Sequence, residues 1–363
     1  MKPIRVLLLA ESPYVGGITS HLLSVMDAFS EENAFDVRLA TFPGRTGDAT
    51  LHTAAAARGY AVDVLPMPWA FDPRVLRRLR KYVANHKIDI VHAHNYRATL
   101  LCAAGRLPAR LVTTFHGVIV EPTLRLRFWQ WLERLNLRRQ PAPIACSEFA
   151  RGQLAKQGVS PDRVRVVHNA CASPSQGEQR RLKSDEDSLV VLYVGRLAPG
   201  KGLETLLGAV AIEGSCTVIF VGGGPLRGQL ESLANELGVN AVFPGIVAEP
   251  GPYFASADVV ALPSKMEALP MCLIEAAAHG VPAIVTRVGG IPEIVEQGEN
   301  GLFSEYGDSA SLAASLNAMK DKPNRLRMGQ RASEIWKKKF SLDRLRDELG
   351  SVYRACVETT PQS

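Results

Sequence analysis

The 363-residue sequence lacks any stretch near the roughly 20 apolar residues that a bilayer-spanning helix needs, so membrane contact is expected to be peripheral. Its six cysteines, at 102, 146, 171, 216, 272 and 356, include no C-x-x-C pair and no partnered His spacing. That excludes a zinc finger or ribbon by spacing and suits a reduced, cytoplasmic compartment. No low-complexity tract and no short-period repeat is present, so neither a repeat array nor a disordered segment dominates the chain. The opening MKPIRVLLLAESPYVGG has a basic start, but its apolar run is about seven residues and no small-residue cleavage site follows, so it reads as a first strand. With 46% hydrophobic and 21% charged residues, the composition is that of a packed α/β protein, and the length calls for two domains.

Charge is unevenly spread. Residues 1–172 hold 23 Lys and Arg against 13 Asp and Glu, and residues 173–363 hold 19 against 23, so a net +6 hides a basic first half and a mildly acidic second. A basic body suits nucleic acid, an anionic membrane or a phosphorylated acceptor, and charge alone does not choose.

Short β-rich runs alternate with longer amphipathic segments, the pattern of parallel sheets covered by helices. Strands are predicted at 4–10, 36–40, 61–65, 89–93, 110–114, 143–147 and 163–167, then at 188–195, 216–222, 240–245, 258–263 and 282–286. The polar segment 172–187 reads as a linker between domains at 1–171 and 188–340, and 323–357 reads as two helices joined near Phe340 and Ser341. Ligands of such sheets sit beyond the carboxyl ends of strands, and two facing sheets would make one deep cleft.

The most specific motif is SKMEALPMCLIEAAAHGVP (264–282), where Glu267 precedes a helix and Glu275 lies inside it. Pro270 suits the first helical turn and Gly280 the helix end. Backbone N–H groups of Leu269, Met271 and Cys272 suit a phosphate at the positive end of the helix dipole. Glu275 would then reach ribose hydroxyls and Glu267 a sugar; in isolation, the same two carboxylates also read as a solvated helix face. YVGRLAPGKGLETLL (193–207) places Gly202 where a P-loop needs Ser or Thr, which argues against an NTPase. It leaves Arg196 and Lys201 either to neutralise a diphosphate or as two surface cations around a turn. VGGGPLRGQL (221–230) carries Arg227 where a dinucleotide fingerprint needs Gly, so NAD is not supported.

Gly16 and Gly17 offer a close backbone approach to an anion, or a plain strand-to-helix turn. His116 lies just past a strand and is either a catalytic candidate or a structural histidine. His92 and His94 share a strand face without a third ligand by spacing, so core packing or cleft lining is preferred to a metal. Ser147 reads as an N-cap, and Asp185 and Asp187, though spaced D-x-D, read as solvent-facing linker residues.

As a set, GG after the first strand, TFHG (114–117), VGRLAPGKG, VGGGPLRGQL, FPGIV, the E-x7-E pair, GG-x-x-E at Gly289, Gly290 and Glu293, and a late F-S resemble the family-4 retaining glycosyltransferases of the GT-B fold. The resemblance implies two facing Rossmann-like domains, an acceptor-binding first half, and a final helix from about 341 that packs back on it. It implies donor diphosphate binding by Arg196 and Lys201, ribose binding by Glu275, and sugar binding by Glu267 with the 269–271 amides. By the same resemblance His116 contacts the sugar and the 243–247 segment, with Phe243 and Ile246, holds the base. Catalysis would need no metal and no cofactor beyond the substrate, a UDP- or GDP-sugar, with the departing phosphate taking the acceptor's proton. Ala268 and Ala170 stand where many members carry Gly.

The segment LRLRFWQWLERLNLRRQ (124–140) joins Phe128, Trp129 and Trp131 to Arg125, Arg127, Arg134, Arg138 and Arg139. It reads as a contact with an anionic membrane or lipid-phosphate acceptor, or as a cover helix whose aromatics are core. The leading expectation is therefore an enzyme of cell-surface polysaccharide or glycolipid synthesis, cytoplasmic or peripheral on the inner membrane face, acting on a saccharide or lipid-linked acceptor and not on nucleic acid. The competing readings are an inactive sugar-nucleotide-binding protein and a nucleotide-sugar epimerase.

Overall fold

The computed structural model describes residues 2–11, 16–42, 50–66, 74–117, 124–140, 142–174 and 188–358. The chain divides into two compact units, Met1–Ala170 with Leu342–Ser363, and Cys171–Ser341. Most of the expected linker, including Asp185 and Asp187, lies outside the described residues.

The first unit runs β1 (Ile4–Glu11), α1 (Gly17–Phe29), β2 (Phe35–Phe42), α2 (Thr50–Ala57), β3 (Val62–Val64), α3 (Arg74–Asn85), β4 (Ile90–Ala93), α4 (Tyr96–Gly105), β5 (Arg110–Phe115), α5 (Leu124–Leu137), β6 (Ile144–Ala145), α6 (Glu148–Lys156) and β7 (Arg165–Val166). The second runs β8 (Val190–Val194), α7 (Leu203–Glu213), β9 (Thr217–Val221), α8 (Arg227–Glu236), β10 (Ala241–Gly245), α9 (Gly251–Phe254), β11 (Val259–Leu262), α10 (Met271–Ala278), β12 (Ala283–Thr286), β13 (Gly301–Ser304), α11 (Ser309–Ala318) and α12 (Lys322–Lys339). The last helix, α13 (Leu342–Glu358), belongs to the first unit.

Both sheets are parallel throughout, in the orders β3-β2-β1-β4-β5-β6-β7 and β10-β9-β8-β11-β12-β13. The order reverses beside β1 in one and beside β8 in the other, the Rossmann arrangement that leaves a ligand crevice at the carboxyl ends of the central strands. β13 was not anticipated, because Gly301–Ser304 offers only Leu302 and Phe303 as a β signal.

Covering helices on both faces explain the unbroken apolar run of β1. Val6, Leu8 and Ala10 join one cluster with Leu22 and Val25 of α1 and Leu345, Leu349 and Tyr353 of α13. Leu7 and Leu9, pointing the other way, join Val75, Leu79 and Val83 of α3, which recur every fourth residue and so form one stripe. Each large α13 side chain buried here contributes about 2 kcal/mol. Ala170 is buried in the first cluster with φ outside the left-handed region, so alanine is accommodated there without strain. Ser147 caps α6 by accepting from the Ala150 amide at 3.0 Å.

α5 turns two of its aromatic side chains outward. Phe128 is 52% and Trp131 46% exposed, while Glu133, Leu137 and Gln140 turn inward. The side chain of Arg125 lies outside the described residues. Burial pushes the Glu133 carboxyl up from 4.5 to about 8. Between those values the folded chain holds a proton that the unfolded chain has released, so this stabilising contribution is complete below 4.5 and is lost as pH rises through about 8. Urea unfolding of Glu133→Gln at about pH 5 and about pH 9 should therefore show a smaller fall in stability with pH than the parent chain shows.

Candidate functional site

The unusual residues of the second unit stand at the carboxyl ends of its strands. After β8 the chain turns through exposed Arg196 to Lys201, and the Lys201 ammonium donates to Glu267 Oε1 at 2.6 Å. The turn is fixed from three sides. The Tyr193 hydroxyl donates to the Arg196 carbonyl at 2.8 Å, the Leu197 amide to Gly223 O at 2.9 Å and the Lys265 amide to Gly200 O at 2.8 Å. Gly202 has φ +69°, and a Cβ there would overlap the Pro263 carbonyl, so backbone packs directly on backbone. The Glu267 loop is held from beyond β12 as well. Gly290 donates its amide to Glu267 O at 3.1 Å, and a Cβ on Gly289, at φ +58°, would overlap that same oxygen.

α10 begins at Met271, with Pro270 as N-cap (φ −73°, ψ 122°) and no side-chain cap bond. Pro270 thus precedes the first helical turn instead of occupying it: its extended ψ places it just outside the helix, where its missing N–H is equally harmless. The early amides keep the positive end of the helix dipole, while the buried Leu269, Pro270 and Met271 side chains anchor the turn. Glu275 lies one turn inside the helix, and His279 and left-handed Gly280 close it. Burial, followed by the charges of Glu267 and Glu275, pushes the Cys272 thiol up and is opposed by Lys201, so these groups form one neighbourhood. Ala268 sits in this loop with φ outside the left-handed region.

Phe243 of β10 stacks on Phe220 of β9 at 5.0 Å and 10° between planes, and Arg227 donates to its carbonyl at 2.9 Å. Ile246, just beyond, is 64% exposed, and its side chain lies over Gly223. The strand ends thus bring together Arg196, Lys201, Glu267 and the start of α10, with Phe243 and Ile246 on the neighbouring β9–β10 edge.

In the first unit, Gly16 is the extended N-cap of α1 and Gly17 its first residue; both are exposed, and among the described residues nothing stands within 4 Å of a Cβ at Gly16. His116 follows β5. His94, following β4, meets it with Nδ1 3.3 Å from His116 Nε2. His21 of α1 completes the cluster, 5.3 Å from the His94 ring and 5.1 Å from the His116 ring, centre to centre. Spacing suggested no third histidine because His21 comes from another element. The signal available was a polar residue within the apolar stripe Leu22, Val25 and Met26. His92, also buried, hydrogen-bonds Tyr353 at 2.8 Å and Thr114 at 2.7 Å. Burial lowers all four imidazoles, His92 to about 3 and His116 to about 4, so they are neutral near pH 7.

A family model described as Glycosyltransferase Family 4 matches residues 15–171, and one described as Glycosyl transferases group 1 matches residues 175–335. An uncharacterized glycosyltransferase of Methanocaldococcus jannaschii is 31% identical over 75% of this chain and 76% of its own length. The chain belongs to the family-4 glycosyltransferases.

The enzyme is also 24% identical, over 74% of its length, to a sulfoquinovosyl transferase of Arabidopsis thaliana, of which the match spans 56%. Its fold is shared with Anabaena HepE solved in complex with UDP-glucose, at a TM-score of 0.83 and 20% identity over 97% of this chain and 100% of that one. Among the described residues of the glycosyltransferase, no helix is long and apolar enough to cross a membrane. Sequence reasoning gave no structural role to Tyr193 and Arg227, which bond the Arg196 and Phe243 carbonyls, and passed over the largely buried Glu11–Arg97 ion pair at the carboxyl end of β1. Tyr193 and Arg227 stand inside motifs singled out for other residues, whereas Glu11 and Arg97 stand in none.

The contact at Gly289 separates steric from conformational cost. Gly289→Ala adds an overlap with Glu267 O to the left-handed strain, whereas Gly238→Ala, at φ +65° in open space, carries the strain alone. Denaturant titration should show losses of about 3 kcal/mol and about 1 kcal/mol respectively. Equal losses would show that the Glu267 loop yields.

Proposed function

We propose that this glycosyltransferase moves a hexosyl or N-acetylhexosaminyl unit, with retention of anomeric configuration, from a UDP- or GDP-sugar to a saccharide or lipid-linked acceptor in cell-surface polysaccharide or glycolipid synthesis. The observation that carries this reading is the Lys201–Glu267 pair held beside the start of α10. A cation, a carboxylate and a helix N-terminus are the groups that a sugar diphosphate engages.

In this reading the second unit binds the donor and the first the acceptor. Phe243 and Ile246 meet the base, Glu275 the ribose, and the Leu269–Met271 backbone the phosphates. With no donor present, Lys201 and Glu267 satisfy each other. The arriving diphosphate draws the ammonium away and leaves the carboxylate to accept from sugar hydroxyls. As the glycosidic bond breaks, negative charge grows on the departing phosphate, and Arg196 and Lys201 stabilise it without a metal or other cofactor. That phosphate takes the acceptor's proton. Gly16 and Gly17 leave room for an anionic group, and His116 contacts the sugar. HepE, solved with UDP-glucose, supports a uridine donor.

Lys201→Ala and Glu275→Ala should each lower donor turnover about 100-fold with thermal melting unchanged, since each removes a group aimed at the diphosphate or ribose. Normal rates in both would reject the assignment. A thermal-shift series with UDP-, GDP- and ADP-sugars reads the base directly.

The outward Phe128 and Trp131 of α5, beside exposed Arg127 and Arg139, support peripheral docking on an anionic inner membrane face. Liposome co-sedimentation should rise with anionic lipid content and fall about tenfold in the Phe128→Ser, Trp131→Ser double variant. Binding indifferent to anionic lipid would remove the membrane from the proposal.

A further inference from the structure

The histidine cluster has more buried nitrogen atoms than partners for them. His94 is fully buried; its Nδ1 meets His116 Nε2, and its Nε2 has no hydrogen-bond partner among the described residues. Both ring nitrogens of His21, 2% exposed, also lack a partner. His92, its ring tilted 40° against His94 at 4.0 Å between centres, spends both nitrogens on Tyr353 and Thr114 and offers neither to His94.

Two protonation patterns satisfy the 3.3 Å contact between neutral rings. In one, His94 donates Nδ1–H to a bare His116 Nε2. In the other, His116 donates Nε2–H to His94, and the His94 proton sits on Nε2. The second pattern buries an N–H with no acceptor, which is rarer and costlier than an unfilled lone pair. The first pattern avoids that cost.

We propose that His94 fixes the tautomer of His116, so that His116 presents Nδ1–H as a hydrogen-bond donor to an oxygen of the transferring sugar and keeps no lone pair for use as a base. The consequence rests on the reading above that His116 contacts the sugar; the tautomer itself does not. His94 is then a positioning residue, with His21 packed against both rings. The assignment agrees with a reaction in which the departing phosphate, not the protein, accepts the acceptor's proton.

A metal fits the same rings less well. A ligating imidazole ordinarily donates its second N–H to a carboxylate, carbonyl or water, and the unpartnered nitrogens of His21 and His94 find no such group among the described residues.

Histidine-nitrogen NMR of the full chain without donor reads the tautomer directly. A proton-bearing Nδ1 and a bare Nε2 on His116 are expected, and the reverse would overturn the proposal. His94→Asn places an amide N–H where Nδ1–H stood, and His94→Leu places none. At unchanged melting temperature, His94→Leu should lower donor kcat/KM about tenfold, the worth of one fixed hydrogen bond, and His94→Asn should restore it to within about threefold. Equal losses in both would overturn the proposal, as would a stoichiometric equivalent of zinc in the purified protein. If the tautomer is as stated but His116→Ala leaves donor kinetics intact, the sugar contact fails while the tautomer assignment stands.

Discussion

The Glu267 carbonyl accepts the Gly290 amide and leaves no space for a side chain at Gly289, so the strand-end loops after β11 and β12 meet backbone to backbone. The same kind of contact joins Gly202 to Pro263, across from the turn after β8. Because these contacts involve main chain, the Lys201–Glu267 pair is set by sheet geometry more than by flexible side-chain packing. Pre-organisation of this kind costs nothing at the moment a ligand binds, which is where its chemical value lies.

The architecture was legible because parallel strands buried on both faces are written as runs such as IRVLLLA, with helices between them at regular intervals. Lys201, Glu267 and Glu275 fall in motifs whose spacing carries geometry, and the structure pairs Lys201 with Glu267 in the loop ahead of the helix that holds Glu275. What stayed hidden was tertiary. β13 carries only Leu302 and Phe303 as a β signal, and the inward face of α5 proved to hold Glu133 where its aromatics were the alternative candidates. His21 joined His94 and His116 across three elements, a meeting that no single stretch of sequence spells out.

The two units solve different electrostatic problems. The second gathers ionised groups at half-exposed strand ends, where Lys201 and Glu267 are already paired. The first gathers neutral imidazoles in a largely buried cluster, where the location of single protons matters more than net charge. One suits binding a diphosphate; the other suits orienting an uncharged hydroxyl-rich ring.

The placement of α13 bears on how the chain emerges from the ribosome. Leu345, Leu349 and Tyr353 complete the core of the first unit but are translated after the whole of the second. During synthesis the N-terminal sheet therefore waits with part of its apolar face uncovered while the later unit is made. Its folding is finished only by the last helix, the reverse of the N-terminal-first order common in multidomain chains.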